Sequence, residues 1–123
     1  MARKLRFALT PEPAAAREAR RRIKALDDLP DNVAATAELV VSELITNSVL
    51  HAGLRPDDAI EVTLLRAEDH LEIQVDDGDG FYGSRGGLMT ASRPGGMGLR
   101  LVDALCDHWH AEGGRVVASI RMS

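Results

Sequence analysis

From Glu38 to Ala52 the chain is mostly aliphatic, yet Glu43, Asn47 and His51 interrupt it at intervals of four. Four residues turn a helix by roughly 400°, so each of the three is offset from the last by only about 40°. An acid, an amide and an imidazole thus form one stripe along a helix. Leu39, Val40, Leu44, Ile45, Val49 and Leu50 supply apolar surface beside it. Polar groups at the margin of a core need partners, either within the protein or in a ligand. The segment therefore demands a layer to pack against and a purpose for the stripe.

The 123 residues fit one domain spanning 1–123, and 45% hydrophobic content suffices for a core. Aromatic residues make up only 3%, so that core is aliphatic. No apolar run is expected to span a membrane, and Met1-Ala2-Arg3-Lys4 leads into a short alternating segment, not a secretory leader. The single cysteine, Cys106, precludes an intramolecular disulfide and fits a reducing cytoplasm. A net charge of −4 argues against nucleic-acid binding as the main role.

Lys4 to Leu9 alternates and reads as an edge strand. Thr10-Pro11 signals a helix start, giving a first helix from Pro13 to about Leu26. Its Arg17, Arg20, Arg21, Arg22 and Lys24 read as a solvated basic face, or more sharply as a docking face for an acidic protein. Asp31 is placed to cap a second helix that runs to Ala52 and stops at Gly53. Ala59–Arg66 and His70–Asp76 alternate around Ala67-Glu68-Asp69, a hairpin pattern. Seven of the eleven glycines fall between Asp77 and Gly96, in a stretch without apolar periodicity, which is the pattern of a functional loop. A third helix, Gly98–Cys106, and a closing hairpin around Glu112-Gly113-Gly114 complete the chain.

Several residues carry candidate chemistry, each beside a plainer reading. Asp76 ends a strand just before a glycine, and taken alone it reads as a turn aspartate closing a hairpin. Asp77 and Asp79 read as solvated turn residues. Gly78 and Gly80 permit a tight turn and close approach of a ligand. Gly95-Gly96-Met97-Gly98-Leu99 opens a helix, whose first N–H groups suit phosphate. Arg93, just before these glycines, is better placed than Arg85 or Arg100 to add charge there. The Asn47 side-chain oxygen suits a hard cation such as Mg²⁺, or else is satisfied by backbone. Gly78 to Gly83 spells G-x-G-x-x-G, but no helix opens there, so a dinucleotide fold is excluded; a P-loop motif is absent. Cys106 and Trp109 read as packing residues, and His108 and His110 lack the neighbours of a metal site.

In order along the chain, Glu43-x-x-x-Asn47, Asp76-x-Gly78-x-Gly80 and Gly96-x-Gly98-Leu99 resemble the N, G1 and G2 boxes of the GHKL (Bergerat-fold) ATPase and kinase superfamily. That group holds gyrase, Hsp90, histidine kinase and MutL ATP-binding domains. The runs Glu43–Ala52 and Gly98–Leu105 are most similar to the small anti-sigma factor and serine-protein kinase branch. The resemblance covers about Leu5 to Ile120. It implies a two-layer α/β (α+β) sandwich, a mixed, mostly antiparallel sheet covered on one face by three helices. It also implies ATP and Mg²⁺ as ligands, with Asp76 on adenine, Asn47 on the metal and Glu43 as general base. Gly78, Gly80, Arg93, Gly96, Met97, Gly98 and Leu99 would border the nucleotide. The implied partners are a sigma factor and an anti-anti-sigma antagonist, with the chain as a homodimer and neither nucleic acid nor membrane bound directly. One departure stands out: Arg115 follows Gly113-Gly114, where the branch often has a threonine. A non-catalytic ATP-binding switch, or a histidine kinase-type catalytic domain acting in trans, are the alternatives.

Overall fold

The structure, a computed structural model, describes residues 3–51, 54–78, 97–112 and 114–122. The elements in chain order are β1 (Arg3–Leu9), α1 (Ala15–Lys24), α2 (Asp31–His51), β2 (Ile60–Arg66), β3 (His70–Asp76), α3 (Met97–Leu105), β4 (His108–Glu112) and β5 (Arg115–Arg121). The strands form one sheet in the order β1-β2-β3-β5-β4. Among the described residues all four pairings are antiparallel, in keeping with the mostly antiparallel sheet that the resemblance implied. Alternation of side chains explains its two faces. Leu71, Ile73 and Val75 of β3 and Val116, Ala118 and Ile120 of β5 are buried under the helices. The intervening residues, such as Gln74 and Arg115, face away.

The β2–β3 hairpin follows the sequence pattern closely, closed by Ala67 N–H donating to the His70 carbonyl at 2.9 Å. The first helix does not. It begins at Ala15 and has no side-chain cap, so the Thr10-Pro11 signal falls before it, where residues 11–14 form bends and turns. Tertiary packing explains the shift, because burial of Ala15, Ala19 and Ile23 at helical spacing fixes the register of α1. Asp31 is the first helical residue of α2 and not its cap, since Ala34 N–H already donates to the Pro30 carbonyl. Gly53 lies outside the described residues.

α2 is the central helix. By length and composition alone Asp31–Leu50 is apolar enough to cross a bilayer, a test that a buried core helix also passes. Here its apolar face meets the sheet instead: Val40, Val41, Leu44 and Ile45 are fully buried. Each such side chain contributes about 1.5–3 kcal/mol on burial. α1 packs along one flank of α2, where Arg20 donates to Ser42 Oγ at 2.8 Å and Lys24 lies 3.8 Å from Glu38. α3 also packs on α2, with Val102 buried, and Trp109 of β4 donates to Asp103 of α3 at 2.9 Å. Glu43 and Asn47 follow Glu38 and Ser42 by five residues, about 140° of rotation, which turns them away from α1.

Candidate functional site

Two registers meet beneath the side of α2 that is turned away from α1. Asn47 and Ser48 of α2 are 5% and 0% exposed, and Asp77, just past β3, is 4% exposed. Ser48 Oγ donates to Asp77 Oδ2 at 2.8 Å. The backbone N–H of Asp77 donates to the Gly114 carbonyl at 3.0 Å, tying it to the turn that leads into β5. The Asn47 amide nitrogen is buried with no protein partner among the described residues. A buried amide donor left this way costs about 1–3 kcal/mol unless something else accepts from it. Buried polar groups of this kind, set in an aliphatic core, are candidates for contact with a ligand.

Gly78 and Gly114 both have positive φ, at 76° and 80°. A Cβ on Gly114 would overlap the Gly78 carbonyl, so only glycine lets the two turns close over each other. That closure holds Asp77 beneath α2.

Asp76 is placed elsewhere. It continues the outward series of Glu72 and Gln74, and its side chain is 39% exposed. One carboxylate oxygen accepts from Gly78 N–H at 2.8 Å, a local turn, while the other lies 3.7 Å from Arg115 Nε. Arg115 is its registered partner on β5 and also faces outward. The pair lies on the side of the sheet away from Asn47. Asp77, read from sequence as a solvated turn residue, is instead buried. The signal was present, because the inward positions Leu71, Ile73 and Val75 continue by twos to residue 77. Ser48 and Gly114 were missed as well; each follows a more conspicuous neighbour, Asn47 and Gly113.

Glu43 is half-buried on the side of α2 turned away from α1, one turn before Asn47. The exposed Leu39 and Leu50 share that flank, giving it an apolar border. Met97, Gly98 and Leu99 form the first turn of α3. Gly80, Arg93 and Gly96 lie outside the described residues. Among the described residues no three His, Cys, Asp or Glu side chains cluster as a metal cage. Mg²⁺ needs no such cage when phosphates and water complete its shell, so a single amide oxygen from Asn47 fits that role. Cys106, the residue after α3, is a half-buried free thiol; burial, then Asp107 and Asp103, push its pKa up to about 11.

An antiparallel sheet covered on one face by helices, with Asn47, Ser48 and Asp77 buried beneath the middle helix, defines an α+β two-layer domain. Residues 9–123 match the family model described as the histidine kinase-like ATPase domain. The chain belongs to that family. Its fold is similar to the crystal structure of the RsbU and RsbW domains of Rv1364c from Mycobacterium tuberculosis, with TM-score 0.68 and 20% identity. That match covers 97% of this chain and 32% of the other, so the chain spans about a third of its length. No curated protein matches.

Proposed function

We propose that the chain binds ATP with Mg²⁺ over the Asn47–Ser48–Asp77 floor and transfers the γ-phosphoryl group to a serine of a protein antagonist, as an anti-sigma factor with kinase activity. The observation that carries the reading is the buried polar floor in a member of an ATPase family. The proposed base-reading carboxylate is Asp77 in place of Asp76, because Asp77 shares the helical side with Asn47 whereas Asp76 is engaged on the outer face. Asn47 would ligate Mg²⁺ through its amide oxygen, and the metal would neutralise phosphate charge. The glycines Gly78 and Gly80 would border the base, while Arg93, Gly96, Met97, Gly98 and Leu99 would border the phosphates.

Glu43 is the proposed general base. It would take the proton from a serine hydroxyl as that oxygen bonds to the γ-phosphorus and the bridge to ADP breaks. The apolar border of Leu39 and Leu50 suits a protein substrate more than free water. The partners would be that antagonist and a sigma factor, the chain acting as a single-domain homodimer in the cytoplasm. Likeness to a structure containing an RsbW domain supports this regulatory setting.

A second reading, a non-catalytic ATP switch, is favoured by one observation. Arg115 turns outward and Val116 is the buried residue beside it, so neither supplies a hydroxyl on the helical side. Glu43→Ala separates the two. Under the kinase reading this variant binds ATP as the wild type does but loses at least about 100-fold in ATP turnover, the scale of general base catalysis. Equal turnover in both proteins would leave the switch reading.

A further inference from the structure

At the end of the sheet opposite Asp77, the core-facing positions turn from apolar to cationic. Leu5, Phe7 and Leu9 of β1 and Ile60, Val62 and Leu64 of β2 face the helices. The same parity puts Arg3 and Arg66 on that side, and the two are direct partners in the register. Like charges placed opposite each other repel. One carboxylate, Asp28 from the α1–α2 connection, serves both. Arg3 Nη1 donates to Asp28 Oδ2 at 3.0 Å, while Arg66 Nε lies 3.1 Å from the same oxygen without hydrogen-bond alignment. Arg66 Nη1 and Nη2 donate to the carbonyls of Ala67 and Asp28 at 3.2 and 3.1 Å. Its buried Nε is left with no hydrogen-bond partner among the described residues, and such a donor calls for an acceptor. Lys4 borders the same place, exposed and without an ion-pair partner among the described residues, so three cations face one carboxylate.

These groups rim a pocket of about 110 Å³ with aliphatic walls, Leu5 and Leu26 half-buried and Leu64 and Leu71 buried. A cavity of ~150 Å³ admits benzene, so this one limits an occupant to a chain of about six carbons. We propose that the pocket binds a short aliphatic carboxylate, its chain among the four leucines and its charged end at Arg66 and Lys4. Leu71 and Asp77 are six residues apart, about 20 Å of strand, so the site is separate from the proposed nucleotide site and does not depend on it. A carboxylate supplies the acceptor that Arg66 Nε lacks and eases the repulsion between the arginines. An alcohol of the same length brings no charge, and an ammonium is repelled. Asp28 is a built-in competitor, because it already draws on both arginines. Neutralising it should strengthen ligand binding, the opposite of what losing a purely structural contact would do.

The test is a titration of the full chain with hexanoate, followed by ¹H–¹⁵N NMR. Saturable shifts are expected at the amides of Leu5, Leu26, Leu64 and Leu71 and at Arg66 Nε–H. Hexanol should bind at least about tenfold more weakly, the scale of a lost charged hydrogen bond, and hexylamine and acetate should not saturate. Lys4→Glu, at an exposed position, should weaken hexanoate at least about threefold and spare hexanol. Asp28→Asn should tighten hexanoate by a similar factor. Leu26→Phe, which fills the pocket, should abolish saturation. A pocket that is only an apolar gap would take hexanol and hexanoate alike and ignore Lys4→Glu; that result overturns the proposal. So do shifts that never saturate, weaker hexanoate binding in a folded Asp28→Asn, or undiminished binding in Leu26→Phe. Should Asp28→Asn fail to fold, Lys4→Glu decides alone.

Discussion

At the scale of single residues, one step along β3 decides which side of the sheet a carboxylate serves. Asp76 and Asp77 are adjacent, yet one pairs with Arg115 in solvent and the other is buried beneath α2. Glycine spacing alone marks Asp76 as the first member of the motif, whereas strand parity marks Asp77. A motif counts residues and a sheet counts faces; where the two disagree, burial decides. Gly114 makes the same point at close range. Gly114→Ala would drive a methyl group into the Gly78 carbonyl at a positive φ that disfavours alanine. The turn carrying Asp77 would have to move, so nucleotide affinity should fall at least about tenfold, with a stability loss of about 1–3 kcal/mol by denaturant unfolding. Unchanged affinity and stability would show that the two turns do not need their close contact.

At the scale of elements, α2 does most of the organising. Its stripe was legible because an apolar helix rarely carries an acid and an amide four residues apart without consequence, and Asn47 is indeed buried. The hairpin of β2 and β3 was equally legible from alternation. The start of α1 was not, because a local Thr-Pro signal is weaker than the burial of Ala15, Ala19 and Ile23. Leu44 is fully buried at the centre of the face that α2 turns to the sheet. Leu44→Ala should cost about 2–5 kcal/mol in urea unfolding, with the slope unchanged. A loss below about 1 kcal/mol would mean that α2 is not the keystone of the core. At the end of α3, the raised Cys106 pKa makes the neutral thiol the favoured native form. Its contribution to stability is complete below the ordinary thiol pKa and is lost as pH climbs toward about 11. Stability of the wild type should thus fall across that alkaline window relative to Cys106→Ser; parallel curves would contradict it.

At the scale of the whole molecule, one helical layer on one antiparallel sheet leaves the opposite face polar, with Arg6 on Glu61 at 2.8 Å and Arg115 near Asp76. These exposed pairs contribute little to stability. The helical side holds both the core and the buried Asn47, Ser48 and Asp77, so on the proposed reading folding and ATP binding would draw on the same layer. On the proposed reading ATP binds over these residues, with Asp77 holding the base. Calorimetric titration with ATP and Mg²⁺ of the wild type, Asp77→Asn and Asp76→Asn tests it most directly. Saturable wild-type binding, weakened at least about tenfold in Asp77→Asn and within about twofold of wild type in Asp76→Asn, is the predicted result. Loss confined to Asp76→Asn, or no binding by the wild type, would contradict it.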